Sequence, residues 1–105
     1  LSQYENESAK QQQAYTQNRQ QNVNKTLADE QARLDAVRSD LSQTLAQLKS
    51  SKLKSSESQK EIRQLQDLQR QSQHASSASE IAEIEKKVAE AKQKIKILEE
   101  ANTLR

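Results

Sequence analysis

The chain contains no cysteine, proline, glycine, methionine, tryptophan or phenylalanine, and two tyrosines are its whole aromatic content. Each absence removes something. Without cysteine there are no disulfides and no thiolate metal sites, and neither an oxidising nor a reducing compartment is favoured. Without glycine and proline the usual residues for tight turns, left-handed helix ends and helix breaks are missing, so long uninterrupted helix is the expected state. Without bulky aromatics, and with only 31% hydrophobic residues in 105 positions, a compact single-core domain is not expected. No run approaches the roughly 18 apolar residues that a membrane span needs. The first residue is Leu1 rather than methionine, which suits either a secreted or periplasmic product of signal cleavage or an excised fragment of a larger coiled-coil protein.

Seventeen basic and fifteen acidic side chains leave a formal charge of +2, and the two signs are intermixed along the chain. That is the pattern of a solvated helix surface rather than of a polyanion-binding footprint. The high Gln, Ser and Asn content would also suit a disordered chain, which buries too little apolar surface to offset its entropy. Periodicity decides against disorder, because a disordered chain has no reason to space its aliphatics at three and four.

The strongest such pattern is Val23 to Leu48, VNKTLADEQARLDAVRSDLSQTLAQL, where Leu27, Leu34, Leu41 and Leu48 recur every seven residues and Val23, Val37 and Thr44 fall four residues before or three after them. These positions trace one stripe along a helix, a coiled-coil seam that another helix has to cover. Leu45 sits beside the stripe, and Ala28, Ala32, Ala36 and Ala46 lie on other faces, which suits a three-helix contact or two partners on different faces. Residues 1–22 are a polar, Gln-rich arm in which Leu1, Tyr4 and Tyr15 can share a face, expected as frayed helix or a solvated tail.

Beyond Leu48 the segment Lys49 to Glu61, KSSKLKSSESQKE, thins the seam, yet Ile62 lies two heptads after Leu48 and Leu65 follows at a three-residue step. The frame predicts one long helix over 23–70. It is lost in QRQSQHASSAS, and residues 71–77 form the expected polar bend. Ser77 and Glu80 then make a capping-box pair directly ahead of a new aliphatic run, Ile81, Ile84, Val88, Ala91, Ile95 and Leu98, so a second helix is expected over 78–105.

The fold expected is therefore all-α, an elongated coiled coil whose shorter second helix folds back as an antiparallel hairpin, with Ile62, Leu65 and Leu68 packed against Ile84, Val88, Ala91, Ile95 and Leu98. One continuous rod in a parallel dimer is the alternative. In the hairpin the second helix reaches only the 48–68 region, which leaves Val23, Leu27, Leu34, Val37, Leu41, Leu45 and Leu48 as an interface for a second copy or for helices of another protein.

Composition and spacing give no catalytic centre. One histidine, His74, stands in the polar bend without a second ligand nearby, and no glycine-rich loop exists to cradle phosphate. No cofactor and no metal are expected. Only Lys10, Arg19 and Lys25 precede Leu27 as bases, so the basic helix of a leucine-zipper DNA reader is missing and nucleic acid is a poor candidate partner. The function expected is structural: a scaffold that mediates oligomerisation or helix-to-helix assembly. The alternative is a helical dimer bound to a membrane surface through Lys49, Lys52, Lys54, Lys86, Lys87, Lys92, Lys94 and Lys96, a series diluted by interleaved acids.

Overall fold

The computed structural model describes residues 2–104; Leu1, expected on a face with Tyr4 and Tyr15, and Arg105 lie outside the described residues. The architecture is all-helical: α1 spans Gln3–Ser50, α2 Ser56–His74 and α3 Ala78–Thr103, and no strand occurs among the described residues. The chain divides into two units, residues 1–31 and 32–105. The first consists of the opening turns of α1, rich in Gln, which loses little rotamer freedom in a helix. None of its described side chains is buried. The second unit holds a single aliphatic core.

The helix expected to run through 23–70 is broken, and the break is made by serines. Ser51 Oγ donates to the carbonyl of Leu48 at 2.7 Å, and its backbone N–H reaches the same oxygen at 3.3 Å, closing the last turn of α1. Lys49 lies in that turn, where the helix dipole favours a cation. Leu53 donates its N–H to Ser51 Oγ at 3.3 Å and is itself buried, anchoring the connector in the core. Ser55, in extended backbone, then accepts the N–H of Ser58 at 3.1 Å as the N-cap of α2, and Ser58 Oγ donates back to the carbonyl of Ser55 at 2.9 Å. Serine side chains offer the backbone an alternative to helix; these three do here what glycine and proline do elsewhere.

The second connector is also narrower than the bend expected at 71–77. α2 continues to His74, and only Ala75–Ser77 are non-helical. Ser77 caps α3 by accepting the N–H of Glu80 at 3.1 Å, while its hydroxyl donates to Glu80 Oε1 at 2.9 Å. This hydroxyl is the main reason that the Glu80 carboxyl is held below the ordinary glutamate range, with the backbone N–H groups of Ser76 and Ser77 helping against a smaller desolvation effect. A carboxyl whose pKa is lowered by folding adds stability above its unfolded pKa and loses it as the pH falls through the folded value. Loss of the N-cap in Ser77→Ala is expected to cost about 1 kcal/mol at neutral pH. The deficit against the parent protein should narrow in acid, as seen in urea unfolding followed at several pH values.

All three helices contribute a stripe at alternating three- and four-residue steps: Leu34, Val37, Leu41, Thr44 and Leu48 from α1, Ser58, Glu61, Leu65, Leu68 and Ser72 from α2, and Ile81, Ile84, Val88, Ala91 and Ile95 from α3. Their apolar members form one cluster with Leu45, Leu53 and Ala75, against which Ile62 and Leu98 are half-buried. The buried hydroxyls of Ser58 and Ser72 on α2 are satisfied by the carbonyls three residues earlier, at 2.9 and 2.7 Å.

Polar contacts fix direction and register. Arg33 pairs with Glu85, and Asp40 with Lys92 at 2.6 Å. Both partners advance by one heptad from the first pair to the second, so this part of α1 runs in the same direction as α3. Arg38 donates to the carbonyl of Ser72 at 2.7 and 3.1 Å, and Gln69 reaches Ser42 at 3.5 Å, so α2 runs against α1. The Arg38 guanidinium thus satisfies a carbonyl in the last turn of α2, where both hydrogen bonding and the dipole favour a cation. The ion pairs are half-exposed and of small energetic weight; they select one register among those that the aliphatic stripe allows.

Candidate functional site

The residues expected to form an interface divide into two groups. Leu34, Val37, Leu41, Leu45 and Leu48 are buried, and α2 and α3 of the same chain cover them. The expectation that the whole seam from Val23 to Leu48 stands bare is corrected by the break at Ser51: two helices rather than one return to pack beside α1. Val23 and Leu27 remain 46% and 59% exposed. Of the residues expected to pack between the later helices, Leu65, Leu68, Ile84, Val88, Ala91 and Ile95 are buried, while Ile62 and Leu98 sit at the edge of the core. The frame that selected Ile62 was carried across the break; the position facing the core is Glu61.

In the first unit, Tyr15, Arg19, Val23 and Leu27 follow one another at four-residue steps on α1. Side chains four apart lie one above the other along a helix, so these form one broad, solvent-facing ridge. Arg19, Val23 and Leu27 border a shallow, predominantly apolar hollow together with Asn22 and Thr26. Chemically the ridge offers two aliphatic contacts, Val23 and Leu27, preceded by the Arg19 guanidinium and the Tyr15 ring.

In the second unit, α2 and α3 enclose a groove of about 280 Å³ lined by Glu57, Lys60, Glu61, Lys94, Ile97 and Leu98. Its lining sets two aliphatics among four charged side chains: Ile97 is 56% exposed and Leu98 half-buried. Its acid is unusual. Glu61 is 6% exposed, and its Oε2 is shielded from solvent with no hydrogen-bond partner within the chain. A buried carboxylate oxygen without a donor carries a desolvation cost that an incoming cation would offset. Sequence reasoning missed this residue, although Ser58, Glu61, Leu65, Leu68 and Ser72 keep a three–four spacing that was visible once the frame was allowed to restart.

Among the described residues no three His, Cys, Asp or Glu side chains stand together as metal ligands, and His74 is exposed at the end of α2. No helix of the described residues is long and apolar enough to cross a membrane. Comparison with protein-family models, with curated proteins and with solved structures finds no match for this chain.

Proposed function

We propose that this chain is a non-catalytic assembly protein, whose second unit is a three-stranded coiled coil and whose first unit is a helix offered to other helices. The three–four spacing on all three helices supports coiled-coil packing, with α2 and α3 as the folded-back pair. The observation that carries the assembly role is the uncovered pair Val23 and Leu27 on a helix whose first unit buries nothing. An isolated helix draws most of its stability from packing an amphipathic face, so association with a second copy is the simplest way for this one to gain it.

The test is sedimentation velocity on the full chain. The parent protein is expected to self-associate at micromolar concentrations, and the double variant Val23→Ser/Leu27→Ser to lose that association while its urea midpoint at low concentration stays where it was. A parent chain that remains monomeric and fully helical would sink self-assembly. No specific observation favours the membrane-surface alternative: Lys92, one of the lysines it needs, is engaged by Asp40.

A further inference from the structure

From the two surfaces described above we infer that the groove between α2 and α3 is the docking site for the α1 ridge of a second copy, with Arg19 of one molecule meeting Glu61 of the other. This rests on the self-assembly reading and specifies its contact. Three observations converge. Glu61 lines the groove at 6% exposure with its shielded Oε2 lacking a hydrogen-bond partner within the chain, while the ridge carries the Arg19 guanidinium between Tyr15 and Val23. The groove's walls expose Ile97 and Leu98, and the ridge exposes Val23 and Leu27. A second hollow, lined by Leu53, Leu98 and Ala101 among others, adjoins the groove, so α3 from Lys94 to Ala101 offers about 10 Å of surface to a ridge that rises about 12 Å from Arg19 to Leu27.

The chemistry selects arginine in particular. A planar guanidinium presents several donors in a fixed fork and is less strongly hydrated than an ammonium, so it enters a partly apolar groove with less penalty than lysine. Lys60 and Lys94 border the same groove. They would repel a lysine-rich or otherwise strongly basic helix, so a ridge carrying a single cation among aliphatics fits better. An apolar peptide without a cation would leave Glu61 buried and unpaired; an acidic one would add repulsion to it.

The experiment is a charge-swap mixture of full-length chains followed by sedimentation velocity. Arg19→Glu alone and Glu61→Lys alone are each expected to self-associate at least about tenfold more weakly than the parent, because each places like charges together in a desolvated contact. An equimolar mixture of the two should recover association, since each molecule then meets an opposite charge. Arg19 is exposed on α1, so its variant retains the fold. Glu61→Gln, checked for helicity by circular dichroism, stands in for the lysine variant should that one unfold, and it too should weaken association about tenfold. If the parent associates and Arg19→Glu associates equally well, the groove is not the dock although self-assembly stands. If the single variants weaken association and the mixture fails to restore it, direct pairing of Arg19 with Glu61 is wrong. If the parent does not associate at all, the underlying assembly reading falls with it.

Discussion

Leu41→Ala is expected to lower the unfolding free energy of the second unit by about 2 to 5 kcal/mol, the cost of removing a core leucine and leaving a cavity that its neighbours only partly fill. Leu41 has no exposed surface and lies in the cluster shared by all three helices. A domain of this size has a total stability of roughly 5 to 10 kcal/mol, so the change removes a large share of it. Urea unfolding followed by circular dichroism reads the loss as a lower midpoint with an unchanged slope. The same experiment separates a core from an interface. Where leucines are buried within one molecule, the loss is the same at every protein concentration; where they are buried between molecules, apparent stability follows mass action. Leu41 should show the first behaviour. A midpoint deficit that grows on dilution would return it to the interface.

That contrast shows what could be read from the chain and what could not. The all-helical class follows from the absence of glycine and proline together with the seven-residue recurrence of Leu27, Leu34, Leu41 and Leu48 and the three–four spacing of Ile81, Ile84, Val88 and Ala91. The break between α1 and α2 was hidden by a coincidence of numbers: Leu48 and Ile62 are two heptads apart, so the frame appears to pass through a segment where the backbone in fact turns. Serine is only a modest helix opponent on any propensity scale. Its effect at Ser51 and Ser55 comes from side-chain bonds to particular backbone groups, visible once Leu53 is seated in the core. Missing that turn removed one helix from the accounting, and the deficit of cover was assigned to a partner along the whole seam. With α2 restored as a separate helix the deficit shrinks to Val23 and Leu27. The proposed interaction surface thus lies toward the N-terminal end of the stripe, and the one buried acid among the described residues lies on α2, next to the position where an aliphatic is expected.

Glu61→Leu is expected to act in two directions at once. Leucine has a similar volume and no polar atom, so it replaces a carboxylate oxygen that lacks a donor within the chain with a side chain suited to its neighbours Leu65 and Leu98. Replacing a poorly satisfied buried charge by a packed aliphatic is commonly neutral or stabilising, and here a gain of about 1 to 2 kcal/mol is expected. In a domain this small each kcal/mol raises the melting midpoint by about 4 to 8 °C, a shift easily read by thermal unfolding at low concentration. The same change removes the anion that the Arg19 ridge would meet, so self-association should weaken as monomer stability rises. Few substitutions separate these quantities with opposite signs. A residue retained for packing alone would lose both or neither, whereas one retained for a partner is a local cost to the fold that association offsets. A lower melting midpoint for Glu61→Leu would mean that the carboxylate is held by a donor of its own chain, with Lys60 and Lys94, which line the same groove, as candidates. Glu61 would then belong to the bundle's own stability rather than to its assembly.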